Sequence, residues 1–234
     1  MATKENIIFA LDSDSLAKAT PYIEALSPYV GMFKVGLELL TAQGAPSVIH
    51  HIHRLGGQVF FDGKFDDIPN TVGAASRAVS SMGVKMFNVH ASCGLDSLKA
   101  AADNKGNALL LVVTVLTSIP DAESQRIFGA QPHEKVIQFA HDAKAAGADG
   151  IICSPQELEL LAQIPDLRSL LKVTPGVRPE WAEANDQKRI LTPAQAMKMG
   201  ATHLVIGRPI SNPPRGIGSP IDAAKKILEE ILNC

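Results

Sequence analysis

The sequence predicts a single (β/α)₈ TIM barrel that occupies residues 1–234. Short apolar runs alternate with helical stretches, and this alternation is typical of a parallel sheet joined by right-handed crossovers. Eight such runs are present, which favours a closed barrel over an open doubly wound sheet. No Gly-x-Gly-x-x-Gly turn follows the first run, which disfavours a dinucleotide-binding fold. The chain shows no linker and no shift in composition, so we expect one domain.

The predicted strands are apolar segments bounded by glycines or polar residues. They are Ile7–Leu11, Gly31–Val35, Val59–Phe61, Lys85–Val89, Leu109–Leu116, Gly150–Cys153, Leu171–Val173 and His203–Ile206. The clearest predicted helices carry apolar residues at helical spacing. They are Leu16–Leu26, Ala45–Leu55, Glu134–Ala146, Pro193–Met199 and Ile221–Leu232. Glycines follow several of these helices, as is common at helix C-termini.

Composition limits the class of protein. The chain is 46% hydrophobic and 20% charged, with a net charge of -2, which argues against a broad nucleic-acid-binding surface. No apolar run reaches the length of a membrane span, and no signal peptide is visible at the N-terminus. Three cysteines lack the spacing of a metal site, which favours reduced thiols. We therefore expect a cytoplasmic protein that binds neither membrane nor nucleic acid.

Polar residues recur where the predicted strands end. In order along the chain they are Asp12, Lys34, Asp62 with Lys64, His90, Thr117 with Ser118, Arg178, and Gly207 with Arg208. In barrels of this kind, the working site lies at the C-terminal ends of the strands. We therefore expect these residues to meet at one mouth, although they are far apart in sequence.

The third strand is followed by an unusual cluster of charges. Asp62 and Lys64 project to the same side if the strand continues through them, and Asp67 follows three residues later. Nearby carboxylates favour the protonated form of a lysine, which can stabilise and then protonate a carbanion. With Lys34, these residues form an alternating set of cations and anions, and Asp62 would crowd a substrate carboxylate. Loss of carbon dioxide fits this set better than acyl or hydride transfer.

The last two strand ends predict a phosphate site. Loops seven and eight of such barrels frequently bind phosphate. Here they carry Gly176 with Arg178, and Gly207 with Arg208. Glycine allows close backbone approach, and arginine gives forked, charge-assisted hydrogen bonds to phosphate oxygens. The long polar segment Arg178–Leu191 is a candidate lid.

The histidine cluster and the single residue His90 each admit more than one interpretation. The cluster His50, His51 and His53 falls within a predicted helix, away from the mouth and without an acidic partner, which favours solvent-exposed histidines over a zinc site. His90 lies at the correct end of its strand. Lining the pocket and packing as a hydrogen-bonded histidine remain equally open for it.

Taken together, these motifs closely resemble the orotidine 5′-phosphate decarboxylase family, over essentially the whole chain. The matching residues are Ala10-Leu-Asp12, Lys34, Asp62-x-Lys64-x-x-Asp67-Ile-Pro-x-Thr71, Leu116-Thr117-Ser118, Thr174-Pro-Gly-Val-Arg178, Gln187 and Ile206-Gly-Arg208-Pro209. The resemblance implies release of carbon dioxide from orotidine 5′-monophosphate to give UMP. It implies no metal and no organic cofactor.

The resemblance also implies residue roles. Lys64 is expected to donate the proton to C6 of the pyrimidine, Asp62 to lie against the departing carboxylate, and Lys34 and Asp12 to contact the ribose. Thr117 or its neighbouring backbone is expected to read the pyrimidine. The phosphate-binding residues it implies are Arg178, Gln187, Gly207 and Arg208.

A further implication is a shared active site. Asp67 and Thr71 are expected to reach into the site of a partner subunit, which implies a homodimer. Ile68, which lies between them in the motif, is implied as a further substrate-binding residue.

Two other functions stay open from the sequence. A related decarboxylase that acts on 3-keto-gulonate 6-phosphate is similar in its barrel and its Asp-x-Lys-x-x-Asp motif, but uses Mg²⁺. The Ile-Pro-x-Thr continuation and Gln187 favour the nucleotide enzyme. The other alternative is a non-catalytic sensor of phosphorylated ligands built on the same fold.

Overall fold

A computed structural model describes residues 2–182 and 191–234 of the chain. Its centre is a closed barrel of parallel strands in the order β1 to β8, with β8 paired to β1. The strands are β1 Ile7–Ala10, β2 Met32–Val35, β3 Val59–Phe65, β4 Met86–His90, β5 Leu109–Val113, β6 Gly150–Ile152, β7 Leu171–Pro175 and β8 His203–Ile206. The predicted (β/α)₈ barrel is confirmed.

Helices follow the strands along the chain. They are α1 Leu16–Leu26, α2 Leu37–Gln43, α3 Ala45–Arg54, α4 Pro69–Ser81, α5 Leu95–Asp103, α6 Asp121–Phe128, α7 Pro132–Ala146, α8 Leu158–Ala162, α9 Pro193–Lys198, α10 Arg208–Ser211 and α11 Pro220–Leu232. Several begin with proline in the first turn, where its missing N–H has no intrahelical acceptor to lose. Within the described ranges, no helix is long and apolar enough to cross a membrane.

Alternate residues of each strand enter two separate apolar clusters. One face packs against the helices, where Phe9, Phe33 and Phe87 are almost completely buried. The other face fills the interior of the barrel. The interior cluster consists of Ile8, Ala10, Met32, Phe60, Met86, Leu111, Val173 and Val205. The barrel is therefore filled by side chains, and the next inward-facing positions toward the C-terminal ends of β2 and β3 carry the charged residues Lys34 and Asp62.

Three strands end two or more residues from their predicted ends, and β1, β4 and β6 end one residue from theirs. β3 continues to Phe65 instead of Phe61, and β7 continues to Pro175 instead of Val173. β5 ends at Val113 rather than Leu116. Its neighbour β6 ends at Ile152, whose carbonyl accepts from the N–H of Thr114, so no partner strand remains beyond that point. The chain then turns, and 39% of Leu116 is exposed.

The histidine cluster lies in α3, as predicted, but its exposure differs from the prediction. Only His50 is exposed, whereas His51 and His53 are half-buried. Both ring nitrogens of His51 have partners, Thr20 Oγ1 at 2.8 Å and Arg54 Nη2 at 3.2 Å. Burial lowers the pKa of His53, and the neighbouring His50 lowers it further. Packing against α1 accounts for the position of His51, which the helical periodicity alone did not indicate.

The three cysteine thiols are free and occupy different environments. Cys153 is buried and Cys93 is half-buried, while Cys234 is exposed after the last helix. Burial raises the pKa of the Cys153 thiol to about 12 and that of Cys93 to about 11. The thiols of Cys153 and Cys93 are therefore poor nucleophiles at neutral pH.

A half-buried carboxyl group follows β6. Glu157 Oε2 accepts the N–H of Ser154 at 2.7 Å, closing a capping box on a short 3-10 turn. Burial raises the pKa of Glu157 from 4.5 to about 7, and the Ser154 bond only partly opposes this effect. Between pH 4.5 and about pH 7, the folded protein holds more protons at Glu157 than the unfolded chain does. The free energy of unfolding therefore falls as the pH rises.

Replacing Glu157 with glutamine should therefore remove a pH dependence of stability. Between pH 5 and 8, the wild-type protein should lose roughly 2 kcal/mol more unfolding free energy than Glu157→Gln. Urea melts at several pH values measure the difference. Glu159→Gln, which changes an exposed residue of α8, is the matched control and should keep the wild-type slope. Equal slopes for wild type and Glu157→Gln would contradict the assignment.

Candidate active site

Two adjoining clefts open at the C-terminal ends of the strands, referred to here as the mouth. Both are lined by Lys34, Asp62 and Lys64. The first, of about 190 Å³, continues past Asp12 to the start of α2. The second, of about 210 Å³, continues over β5 to β8. Asp12, Lys34, Asp62 and Lys64, which lie at separate strand ends in the sequence, therefore meet at one place, as predicted.

The carboxylate of Asp62 is the centre of the charged cluster, which consists of Asp12, Lys34, Asp62 and Lys64. Its Oδ1 lies 2.7 Å from Lys64 Nζ and accepts from Asn88 Nδ2 at 2.6 Å. Its Oδ2 lies 3.1 Å from Lys34 Nζ. Only 9% of the Asp62 side chain is exposed. Both oxygens of a nearly buried carboxylate are thus occupied by donors from three neighbouring strands.

Lys34 joins two carboxylates. Its Nζ lies 3.4 Å from Asp12 Oδ1, and this pair is more exposed than the pair with Asp62 because 68% of the Asp12 side chain faces solvent. Exposed ion pairs contribute little to stability, so the Asp62 contact is the stronger of the two. The result is a chain of alternating charges across the mouth, from Asp12 through Lys34 and Asp62 to Lys64.

Electrostatics keep Asp62 and Lys34 ionised. Burial raises the pKa of Asp62, but Lys34 and Lys64, together with the Asn88 hydrogen bond, lower it more, so it lies below its ordinary value of 3.8. Burial lowers the pKa of Lys34, but Asp62 and Asp12 raise it more, so it lies above 10.5. At neutral pH, the site therefore holds a fixed carboxylate against an ammonium group.

Local backbone geometry places Lys64 beside Asp62. Lys64 has φ of 51°, the one positive value among the non-glycine residues that the structure describes. This left-handed conformation costs an L-residue on the order of 1–2 kcal/mol. The pairing of β3 with β4 shifts register at the same point. The two side chains thus face each other because the strand is irregular there, and not because a regular strand continues through them.

Gly36 is a site residue that sequence reasoning missed. A Cβ at this position would lie 3.1 Å from Lys34 Nζ and 4.0 Å from an oxygen of both Asp12 and Asp62. The backbone therefore runs directly against the charged cluster, where a side chain would displace Lys34. A glycine two residues after a strand-end lysine was the available signal.

The second cleft supplies an apolar wall next to these charges. Its lining includes Phe60, Val113 and Val205 from the barrel, with Thr117 at its edge. Thr117 is exposed at the start of a turn and lies on the same cleft as Lys64, as predicted. A flat, partly apolar ring could lie here with its edge toward the polar side chains.

Of the two predicted phosphate loops, the one after β8 lies against the charged cluster. Gly207 follows β8, and a Cβ there would lie 3.3 Å from Ala10 and 3.8 Å from Asp12 Oδ2. Arg208 begins α10 and is exposed, whereas Arg178 is almost completely buried after β7. Gly176 has φ of 79°, a conformation that favours glycine. The predicted residue Gln187 and most of the candidate lid, Arg178–Leu191, lie outside the described residues.

Asp67, Ile68 and Thr71 occupy a different position. All three are exposed, and none of them lines the two clefts that contain Lys64. Asp67 Oδ1 accepts the N–H of Ile68 at 2.7 Å, and Ser97 Oγ donates to the Asp67 carbonyl at 2.8 Å. The segment is therefore held in place outside the two clefts of its own barrel.

His90 ends β4 at the mouth, as predicted. It is half-buried. Burial lowers its pKa, Asp66 and Asp62 oppose that effect, and Lys64 reinforces it, with a net shift below 6.5. The imidazole is therefore neutral at pH 7.

The fold and the mouth define a class of protein: a (β/α)₈-barrel enzyme with a site of alternating lysine and aspartate side chains beside a partly apolar cleft. The sequence profile of the orotidine 5′-phosphate decarboxylase / HUMPS family matches residues 5–226. The chain belongs to this family.

Curated relatives and a solved structure agree with the family assignment. Orotidine 5′-phosphate decarboxylase from Geotalea daltonii is 45% identical, with 98% of this chain and 97% of the relative covered. The enzyme from Syntrophomonas wolfei is 42% identical, with 99% of each covered. The crystal structure of orotidine 5′-phosphate decarboxylase from Lactobacillus acidophilus has a TM-score of 0.83 at 33% identity and covers 97% of this chain and 99% of that one.

Proposed function

We propose that this protein decarboxylates orotidine 5′-monophosphate to UMP and carbon dioxide in pyrimidine biosynthesis, in the cytoplasm, as a single-domain enzyme without metal or organic cofactor. The observation that supports this proposal most directly is the 2.7 Å contact between Lys64 Nζ and Asp62 Oδ1, two residues that line both clefts. Whole-length similarity to enzymes named for this reaction supports the substrate.

In the proposed reaction, the substrate carboxylate at C6 faces Asp62. The C6–carboxylate bond breaks, its electron pair stays on C6, and carbon dioxide leaves. The ammonium of Lys64 stabilises this carbanion and then transfers a proton to C6, which gives UMP and a neutral amine that water reprotonates. Lys34 keeps Asp62 charged and fixed, so the Asp62 carboxylate repels the substrate carboxylate, and this repulsion is relieved when the carboxylate leaves as neutral carbon dioxide.

The remaining residues are proposed to bind parts of the substrate far from C6. Lys34 and Asp12 contact the ribose, and Thr117 or its backbone reads the pyrimidine edge in the second cleft. The phosphate is bound by Arg178, Gln187, Gly207 and Arg208. Binding energy from such remote contacts is most effective when it is expressed in the transition state.

We infer that the enzyme is a homodimer with shared sites. Asp67, Ile68 and Thr71 are exposed and line neither cleft of their own barrel, so a contribution to substrate binding would have to be made in a second barrel. Four exposed apolar side chains follow the consecutive strands β2 to β5: Leu37, Ile68, Leu95 and Leu116. An interface over them would bury that surface.

A magnesium-dependent sugar-phosphate decarboxylase of similar architecture is the closest alternative. The occupancy of Asp62 argues against it, because each oxygen already contacts a lysine and Oδ1 also accepts from Asn88. A carboxylate saturated by cations is a poor ligand for Mg²⁺. The test is a spectrophotometric assay with orotidine 5′-monophosphate in EDTA. Turnover supports the proposal, and nucleotide binding without carbon dioxide release supports a sensor. No turnover of the nucleotide, together with Mg²⁺-dependent turnover of 3-keto-gulonate 6-phosphate, supports the alternative.

Lys64→Ala should remove nearly all turnover while UMP still binds, because the ammonium acts mainly in the transition state. We expect kcat to fall by at least about 10³-fold, a loss of the size seen for key electrostatic groups. UMP titration by calorimetry measures the retained affinity. Lys18→Ala, which changes an exposed residue of α1, is the control and should behave as wild type. Turnover near the wild-type rate in Lys64→Ala would refute the assigned role.

Arg208→Ala should weaken substrate binding and slow turnover together, because a charge-assisted contact to phosphate is lost. A decrease in kcat/KM of roughly 100-fold, about 3 kcal/mol, is expected. Added guanidinium should restore part of the activity, and Arg215→Ala is a control on a nearby arginine. Unchanged KM and kcat would remove Arg208 from the phosphate site.

Mixing two inactive variants should test the shared site. Asp67→Asn and Lys64→Ala chains, once exchanged into mixed dimers, form one site that carries both wild-type residues. Activity should recover toward one quarter of the wild-type value for a random mixture, an order-of-magnitude expectation from closed two-fold symmetry. Tagged chains purified in tandem verify the mixed dimers. No recovery in such dimers would mean that each site is built within one chain.

A further inference from the structure

One buried amide lies opposite the irregular part of β3. Phe61 pairs with Phe87, and Phe65 pairs with Val89. Three residues of β3, Asp62 to Lys64, therefore oppose the single residue Asn88 of β4. A bulge of this kind leaves ladder groups without their regular partners.

The Asn88 side chain supplies the missing partners. Its Oδ1 accepts the backbone N–H of Lys64 at 2.8 Å, and its Nδ2 donates to Asp62 Oδ1 at 2.6 Å. Only this orientation of the amide fits, because the opposite one would place its NH₂ against an N–H and its oxygen against a carboxylate. Asn88 is completely buried, so water does not compete for either bond.

These two bonds act on two different parts of the proposed chemistry, on which this inference rests. One stabilises the left-handed backbone of Lys64, a conformation that L-residues rarely adopt. The other fixes the oxygen of Asp62 that also contacts Lys64 Nζ. No other side chain in the described residues bonds to both the backbone of Lys64 and the carboxylate of Asp62.

We propose that Asn88 is a positioning residue for decarboxylation: its carboxamide joins the Lys64 backbone to the Asp62 carboxylate and so sets where the ammonium meets the reacting carbon. Asn88 reaches the substrate through these two groups. Phe60 of β3 and Met86 of β4 form an apolar layer directly beneath Asn88. This layer fixes the position of Asn88.

The test compares three variants with wild type. Asn88→Ala removes both bonds. Asn88→Asp keeps the shape and the acceptor but replaces the NH₂ donor with a carboxyl oxygen. Thr114→Val is the matched control, since Thr114 is also buried at the end of a neighbouring strand and its hydroxyl donates to the Ile152 carbonyl at 2.8 Å. Folding is checked by near-UV circular dichroism and thermal melts.

In Asn88→Ala, kcat should fall about 100-fold, the size of effect expected from a displacement of about 1 Å. The affinity for UMP should stay within about threefold, because the lost interaction is expressed in the transition state. A crystal structure of the variant should show Lys64 Nζ moved away from Asp62. Thr114→Val should retain wild-type kcat.

In Asn88→Asp, the ratio of variant to wild-type kcat should depend on pH, whereas a simple loss of the amide would lower kcat by the same factor at every pH. The new carboxyl group would face Asp62 and Lys64 from β3, Lys34 from β2 and His90 on its own strand. Burial and the adjacent Asp62 carboxylate favour its protonated form, which donates as the amide does. The ratio of variant to wild-type kcat should therefore rise about tenfold or more from pH 9 to pH 6, because protonation restores the donor.

Several outcomes would overturn the inference. They are a flat ratio for folded Asn88→Asp, a kcat within threefold of wild type for folded Asn88→Ala, or failure of both variants to fold, which would make Asn88 a structural residue. Absence of turnover in the wild-type enzyme would instead overturn the proposed function. In that case, the Asn88→Ala crystal structure alone tests whether Asn88 sets the position of Lys64.

Discussion

The carboxylate of Asp62 is almost completely removed from water, and it accepts from Lys34, Lys64 and Asn88 at once. An isolated buried carboxylate would be strongly destabilising, so its donors on β2, β3 and β4 must stay in register. The contacts that compensate for the burial of the Asp62 carboxylate therefore also hold the ammonium groups of Lys34 and Lys64 in place. Stability and the proposed chemistry therefore involve one set of hydrogen bonds.

The barrel provides the conditions for this arrangement. Residues up to the level of Phe60 and Met86 form an apolar filling, and the charges lie directly above it. A low-polarity floor strengthens electrostatic interactions at the mouth. The closed sheet also has no free edge, so the strand ends cannot separate without loss of ladder hydrogen bonds around the ring. Rigidity of the frame is what allows a strained residue such as Lys64 to persist.

The sequence predicted the strands and the location of the charged residues well, because apolar runs and polar strand ends are local patterns. It did not predict Asn88 or Gly36, since their importance depends on which residues lie opposite them across the sheet. The bulge in β3 was not predicted for the same reason: register between strands is a non-local property. The alternation of side chains along a strand correctly predicted that Asp62 and Lys64 lie on the same side of β3, although the backbone there is irregular. The end of β5 was misplaced because it is set by the length of β6.

The unequal environments of the three thiols have a practical consequence. Cys153 and Cys93 are shielded by burial, while Cys234 stands in solvent at the chain end. A maleimide dye added at neutral pH would react first at that terminal sulfur, without any substitution in the protein. Energy transfer between two such dyes would then report association of barrels at nanomolar concentration, under conditions in which the enzyme is otherwise native.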